Sequence, residues 1–148
     1  MRQAAASMPG IAIVLPVNRS QAAWPAFDQV TPASIAANDN DRDGIFTSTG
    51  STVSGNTADS NEGRGIVGFD STIHGNTVSL NRESGIENAR GAVLENTAVN
   101  NTGVGLNLGT GDFASGYANN VVRANDAGEV SGGIPIGINL CGDGACPQ

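Results

Sequence analysis

The sequence predicts an all-β solenoid, a stack of similar coils in which each coil contributes three short strands. The first observation is a repeat of twenty residues, because segments 51–61, 71–81 and 91–101 share one pattern and follow at a constant spacing. The second is that apolar residues and asparagines recur at fixed places within this repeat. A fixed period in this range is typical of solenoids, since one repeat cannot bury its apolar side alone.

Three columns of apolar residues define the predicted strands. The first column contains Val53, Ile73 and Val93, the second Ala58, Val78 and Ala98, and the third, which always follows a glycine, Ile45, Ile66, Ile86 and Leu106. Side chains alternate across a strand, so each column points into the core or away from it along the whole stack. Three apolar patches separated by turn residues therefore indicate three strands per coil.

Two columns of asparagine interleave with the apolar columns. Their members are Asn56, Asn76 and Asn96 in one column, and Asn61, Asn81 and Asn101 in the other. Asparagine tolerates left-handed backbone and bonds readily to nearby peptide groups, which suits it to bends. At the spacing of adjacent strands, about 4.7–4.9 Å, successive amides can also bond to one another. The sequence therefore predicts two structural asparagine ladders.

The repeat extends in both directions with insertions. Residues 40–45 match residues 61–66 one coil later, and about four residues are inserted near 109–115. A longer insertion separates Asp126 from Gly137, and insertions in solenoids map to loops on one side. We expect about four to five coils of about 20 residues from residue 31 to residue 148. Residues 1–30 are expected to form an N-terminal cap or a leader, with a weak resemblance to a signal peptide.

Composition excludes two classes of partner. The chain has 148 residues, a net charge of −7, no lysine and seven scattered arginines. Nucleic-acid binding needs a concentrated basic patch, so we expect no nucleic-acid partner. No apolar run approaches the length of about 18 residues that a membrane-spanning helix needs, so we expect no membrane insertion.

Two cysteines close the sequence in the segment Cys-Gly-Asp-Gly-Ala-Cys. Cys141 and Cys146 are close enough along the chain to form a small disulfide loop, with free thiols or a metal site as alternatives. A disulfide would imply an oxidising compartment and therefore export.

At this point the repeat Gly-Ile … Val-x-x-Asn-x-Val-x-x-Asn resembles that of bacterial right-handed parallel β-helix proteins of the pectate-lyase-like superfamily. The segment from Gly116 to Pro147 looks like the C-terminal end of secreted members, most of them uncharacterised. The resemblance covers about residues 31–148. It implies a short right-handed parallel β-helix in a secreted, extracellular or cell-surface protein. The superfamily includes polysaccharide lyases, hydrolases and epimerases, phage tail proteins and adhesive surface proteins.

A calcium site is one candidate for chemistry. Asp39, Asp41 and Asp43 read as D-x-D-x-D-G, the opening of a calcium-binding loop. The glutamate that an EF-hand loop needs at its twelfth position is replaced by Gly50. The same stretch occupies the normal turn of the repeat, so a solvated turn is the favoured interpretation. We expect no cofactor apart from calcium.

Catalytic residues are the second candidate. Asp112, Tyr117 and Arg123 lie around the shorter insertion, with Glu83 or Glu87 as further members. The resemblance implies that a lyase would use basic residues and a hydrolase clustered aspartates, and the central coils contain no Asp-Asp pair. Glycoside hydrolysis needs two facing carboxylates.

Other charged residues have a structural interpretation. The pairs Glu62–Arg82 and Asp70–Arg90 are one coil apart and are expected to be ion pairs on adjacent strands. His74 falls in an outward column with Ser54 and Leu94 and is expected to be an ordinary surface histidine.

The sequence therefore favours a non-catalytic, exported surface or structural module, with a polysaccharide or cell-surface glycan as the candidate partner. One alternative is a carbohydrate-active enzyme, or a fragment of one. The other is a segment of an adhesin or of a phage-tail-like protein. Uncovered solenoid ends expose unpaired strands, so self-association through the ends is a further expectation.

Overall fold

The chain folds as a right-handed parallel β-helix of about five coils with three strands per coil, as predicted. A computed structural model describes residues 35–47, 49–142 and 144–146, and the predicted cap or leader at residues 1–30 lies outside them. In chain order, the strands are β1 (Ala36–Asn38), β2 (Ile45–Phe46), β3 (Thr52–Ser54), β4 (Thr57–Asp59), β5 (Ile66–Phe69), β6 (Thr72–His74), β7 (Thr77–Ser79), β8 (Ile86–Ala89), β9 (Ala92–Leu94), β10 (Thr97–Val99), β11 (Leu106–Asn107), β12 (Gly116–Ala118), β13 (Val121–Arg123), β14 (Val130–Ser131), β15 (Ile134–Pro135), β16 (Leu140–Cys141) and β17 (Gly144–Ala145). A 3₁₀ helix, Gly111–Phe113, lies in the shorter insertion.

The strands form three sheets that run along the stack. The first sheet has the order β1-β4-β7-β10-β13-β16-β17, the second β15-β12-β9-β6-β3, and the third β14-β11-β8-β5-β2. Every pair of neighbouring strands is parallel except β16 and β17. From β3 onward each coil passes through the second, first and third sheets in turn, so residues one coil apart become direct neighbours.

The three predicted apolar columns stack in register and form the core. Val53 pairs with Ile73, and Ile73 pairs with Val93, in the second sheet. All three are fully buried, as are the matching residues of the other two columns in the central coils. Burying each valine, isoleucine or leucine of these columns contributes about 1.5–3 kcal/mol, and stacking supplies the neighbours that one coil lacks.

Both predicted asparagine ladders are present. In the first ladder, Asn76 Oδ1 accepts bonds from Asn56 N at 2.9 Å and from Asn56 Nδ2 at 3.1 Å. Asn76 Nδ2 in turn donates to Asn96 Oδ1 at 3.0 Å. Both ladders continue into the less regular coils, since Asn120 and Asn139 extend the first and Asn40 and Asn125 extend the second.

The left-handed backbone at these bends belongs to the residue before each ladder asparagine, which corrects the role expected of asparagine itself. Gly55, Gly75 and Glu95 have φ between 56° and 65° ahead of the first ladder. Ser60, Leu80 and Asn100 have φ between 55° and 57° ahead of the second. The ladder residue is therefore selected for its amide, and its neighbour makes the turn.

A disulfide hairpin lies at the C-terminal end. Cys141 and Cys146 are bonded to each other, and β17 pairs antiparallel with β16 at the edge of the first sheet. Asn125 Nδ2 donates to Glu129 Oε2 at 2.7 Å, so a carboxylate takes the place of the next asparagine of the second ladder. The last coil exposes Ile134, Ile136 and Ile138, the last of them by 83%. Self-association through this end stays a prediction.

Asn81→Ala should destabilise the protein by about 3–5 kcal/mol, because it leaves several buried groups unpaired at about 1–3 kcal/mol each. Asn61 N and Nδ2 would lose their acceptor at 3.1 and 2.8 Å, and the Ala58 carbonyl would lose its donor at 3.1 Å. Urea unfolding measures the effect. Leu80→Ala, at the exposed residue of the same turn, is the control and should stay within about 0.5 kcal/mol. Equal effects of the two substitutions would contradict the ladder's role.

Gly65→Ala should be more destabilising than Gly55→Ala, although only Gly55 has a positive φ. A Cβ at Gly65 would lie 2.6 Å from the Gly85 carbonyl oxygen and 2.8 Å from Asn81 Nδ2, so the coils would have to separate. A Cβ at Gly55 meets nothing within 4 Å. We expect losses of about 3 kcal/mol at Gly65 and about 1 kcal/mol at Gly55 in urea unfolding. The reverse order would show that close coil stacking does not limit this position.

Candidate functional site

A shallow depression on the outer face of the third sheet is the candidate site. We call it the outer depression; it has a volume of about 380 Å³. Its lining residues are Phe46, Arg64, Val67, Gly68, Phe69, Glu87, Asn88, Ala89, Asn107 and Gly109.

Strand alternation places the outward side chains of the depression. Each residue of the inward column Ile45, Ile66, Ile86 and Leu106 is followed by a residue that points outward. These outward residues are Phe46, Val67, Glu87 and Asn107, stacked in register on successive strands. The column therefore changes from aromatic to aliphatic to acidic to amide over four coils.

Two phenylalanines provide exposed aromatic surface. Phe46 pairs with Val67 on the neighbouring strand, and Phe69 lies two residues farther along the strand of Val67. Phe46 is 42% exposed and Phe69 is 37% exposed, whereas Val67 is buried. The two rings therefore present apolar surface on the two sides of a covered aliphatic residue.

Arg64 is the polar centre of the depression. Its Nε and Nη2 atoms donate to the two carboxylate oxygens of Asp43 at 3.1 and 2.9 Å, and its Nη1 atom donates to Glu87 Oε1 at 2.7 Å. Glu83 Oε2 lies 3.8 Å from Nε. On the other side of Glu87, Asn107 Nδ2 donates to Oε2 at 3.3 Å. Bidentate bonding fixes the plane of the guanidinium.

The Arg64–Asp43 pair stays ionised. Burial acts to raise the pKa of Asp43, but the hydrogen bonds and charge of Arg64 outweigh it and hold that pKa below its usual value. The hydrogen bond to Asp43 in turn raises the pKa of Arg64, against the opposing effect of burial. The depression therefore holds fixed charges of both signs at neutral pH.

Arg90 borders the same surface. Its guanidinium lies 4.5 Å from the ring centre of Phe69 and 5.5 Å from that of Phe113, within the range of a cation–π contact. It also donates to both carboxylate oxygens of Asp70 at 2.9 and 2.7 Å, which confirms the predicted ion pair. The shorter insertion thus contributes Phe113 to this side of the molecule.

The structure does not bring the predicted catalytic candidates together. Tyr117 pairs with Val93, continues the inward column of the second sheet and is only 3% exposed, and this burial raises its pKa. Arg123 is exposed on the first sheet, where Nη2 donates to the Gly142 carbonyl at 3.3 Å. Asp112 is exposed on the 3₁₀ helix. Of the further candidates, Glu87 lines the outer depression and Glu83 lies beside it.

The predicted calcium residues occupy a turn. Asp39 and Asp41 are exposed, and the carboxylate of Asp43 is bonded to Arg64. Within the described ranges, no group of three or more histidine, cysteine, aspartate or glutamate side chains is placed to hold a metal ion. The geometry gives calcium no support, and the prediction stays untested.

The remaining charged residues largely follow the repeat. Arg82 Nη1 lies 2.8 Å from Glu62 Oε2, which confirms the second predicted ion pair. His74 stacks between Ser54 and Leu94 as expected. The contact of His74 with Glu95, whose Oε2 lies 3.1 Å from His74 Nε2, was not predicted from the sequence. Glu95 lies in the turn that follows β9, the strand that pairs with the strand of His74.

Sequence reasoning also missed Phe46, Phe69 and the Arg64–Asp43 pair. A usable signal was present, because the residue after each glycine–aliphatic pair must point outward if the aliphatic residue points inward. The positions that follow these pairs in the sequence are enough to place Phe46, Val67, Glu87 and Asn107 side by side on one outer face.

No protein-family model matches the chain, and no curated protein matches its sequence. No helix in the part that the structure describes is both long and apolar enough to cross a membrane. Among solved structures, the chain is similar to a double mutant of the periplasmic alginate epimerase AlgG, with a TM-score of 0.51 and 15% identity over 74% of this chain and 37% of that one. A single mutant of the same epimerase gives a TM-score of 0.45 and 14% identity, over 74% and 39% of the two chains. The chain thus spans little more than a third of that protein, and the likeness shows a shared parallel β-helix fold.

Proposed function

We propose that the chain is an exported β-helix module that binds a glycan in the outer depression without catalysing a reaction. The observation that carries the proposal is the pairing of exposed aromatic rings with a polar cluster on one sheet face. Phe46 and Phe69 are exposed beside Arg64, Glu87 and Asn107. A sugar ring has an apolar C–H face and a rim of hydroxyls, and such a surface offers a partner to each.

The fold is compatible with this proposal. The epimerase with a similar fold is an alginate epimerase, and alginate is a polysaccharide. One fold hosts many functions, so this likeness is compatible with a carbohydrate ligand but does not identify one. Membership of the pectate-lyase-like superfamily is part of the same proposal and rests on the repeat pattern together with the fold.

The state of the carboxylates favours binding over catalysis. Enzymatic cleavage of a glycosidic bond commonly needs a carboxyl group with a raised pKa as general acid. Glu87 in the outer depression and Asp43 beside it both accept bonds from Arg64, and the pKa of Asp43 is lowered. These carboxylates are therefore arranged as fixed acceptors.

Export is supported by two observations. The Cys141–Cys146 disulfide is of a kind that persists in oxidising compartments. The epimerase with a similar fold is periplasmic. We therefore place the protein outside the cytoplasm.

Replacing Phe46 or Phe69 with alanine should weaken glycan binding by roughly tenfold or more, since an aromatic contact is worth about 1.5–3 kcal/mol. Affinity electrophoresis in gels containing polysaccharide measures the retention. Leu80→Ala removes an exposed apolar side chain from a turn after the first sheet and should leave retention unchanged. Wild-type retention by Phe46→Ala and Phe69→Ala would move binding away from the outer depression, and a wild-type protein that no glycan retards would remove the proposal.

The purified protein should release no product from neutral or acidic polysaccharides, with or without calcium. The reason is that Arg64 holds the carboxylates of Glu87 and of the neighbouring Asp43 as acceptors. Assays for new reducing ends, for unsaturated sugars and for epimerised residues by NMR cover hydrolase, lyase and epimerase chemistry. Product formation that Glu87→Gln abolishes would replace the binding proposal with an enzymatic one.

A further inference from the structure

We infer that the ligand of the outer depression is an uncharged glycan, and that Glu87 is the residue that discriminates against sugars carrying a carboxylate. This inference rests on the proposed function. It names the class of glycan and departs from the anionic alginate on which the epimerase of similar fold acts.

The charges around Arg64 are predominantly negative. Among the described residues that line the outer depression, Arg64 is the one cation. Three carboxylates surround its guanidinium: Asp43 at 2.9 Å, Glu87 at 2.7 Å and Glu83 at 3.8 Å. The charge of Arg42 also acts on Asp43, but three carboxylates against two arginines still leave an excess of negative charge, so the approach of a further carboxylate is unfavourable.

Arg90, the cation that borders the depression at Phe69, is also engaged. Both of its bonds to Asp70 are made through the Nε and Nη2 edge, at 2.9 and 2.7 Å. Its flat face covers Phe69. Asp70 occupies the Nε and Nη2 edge of Arg90, and Asp43 and Glu87 occupy the donors of Arg64, so a carboxylate on a sugar could reach either arginine only beside a carboxylate that already neutralises it.

Long-range electrostatic forces also act against an anionic polysaccharide. The chain carries a net charge of −7 and has no lysine. A polyanion therefore meets repulsion before any contact forms, and this repulsion is strongest at low ionic strength. An uncharged polysaccharide meets none.

The polar side chains of the depression can form hydrogen bonds with the hydroxyls of an uncharged sugar. The side chain of Glu87 is 37% exposed, and within the described part of the chain its Oε2 atom accepts one long bond, at 3.3 Å, from Asn107. This oxygen can accept a charge-assisted bond from a sugar hydroxyl, and the amide of Asn107 can donate to or accept from the adjacent one. The carboxylate that repels a uronate thus binds an uncharged sugar.

The experiment compares alginate with carboxyl-reduced alginate, which has uncharged sugars at the same linkages, and with a set of neutral plant and bacterial polysaccharides. Retention of the full chain is measured by affinity electrophoresis at low and high salt. We expect at least one uncharged polymer to retain the wild type at least tenfold more strongly than alginate does. Raising the salt should reduce this difference, because it screens the repulsion of alginate.

Glu87→Gln keeps the shape of the side chain and removes its charge. We expect roughly a tenfold gain in alginate retention and a several-fold loss for the uncharged ligand. Glu62→Gln, which alters an exposed ion pair away from the depression, is the matched control and should change neither. Circular dichroism and thermal unfolding check that both variants fold.

Each outcome decides a separate point. Stronger retention by alginate than by every uncharged polymer would overturn the inference and leave the proposed function standing. No retention by any glycan would overturn the proposed function itself. Retention by an uncharged polymer that Glu87→Gln leaves unchanged would remove Glu87 from the discrimination. Should Glu87→Gln fail to fold, the wild-type comparison of alginate with its carboxyl-reduced form still decides the class of ligand.

Discussion

The hydrogen bonds between asparagine amides of successive coils are the constraint on which the rest of the structure depends. Each amide oxygen accepts from both the backbone and the side chain of the asparagine one coil earlier, as Asn81 does from Asn61 at 3.1 and 2.8 Å. These bonds are buried, so a coil that slipped along its neighbour would leave several polar groups unpaired. The ladders therefore fix the register at two bends of every central coil, and the aliphatic columns are aligned as a consequence.

Fixed register also builds the outer surface. Because Ile66 and Ile86 are locked as neighbours inside, Val67 and Glu87 must be neighbours outside. Asp43 reaches Arg64 through the same alignment, one coil away in sequence but bonded in space. The outer depression therefore inherits its geometry from the core and needs no long loops to position its side chains.

Much of this arrangement could be predicted from the sequence, because the period brings residues twenty apart into contact. The aliphatic columns, both ladders and the ion pairs Glu62–Arg82 and Asp70–Arg90 follow from that shift alone. Two contacts that were missed cross the repeat diagonally: Arg64 reaches Glu87 at a separation of 23, and His74 reaches Glu95 at 21. Such contacts depend on the rotamers of long side chains, and the alignment of the repeats does not specify rotamers. The Arg64–Asp43 pair was also missed, although the 21-residue shift of that coil aligns the two residues. Tyr117 keeps the position of Val93 within the repeat, and the structure accordingly pairs the two residues and buries Tyr117 in the inward column.

The inward and outward columns of the third sheet are under different physical demands. The inward positions of the third sheet are all aliphatic and nearly constant in size, as Ile45, Ile66, Ile86 and Leu106 are, because they pack against one another in the core. The outward position beside each of them changes from Phe46 to Val67 to Glu87 to Asn107, while the pairing of the strands stays the same. Recognition can therefore vary while the scaffold stays the same, which is why a shared β-helix is weak evidence for a shared ligand. The proposal of a glycan ligand therefore rests on the charges and rings of the outer face and not on the fold.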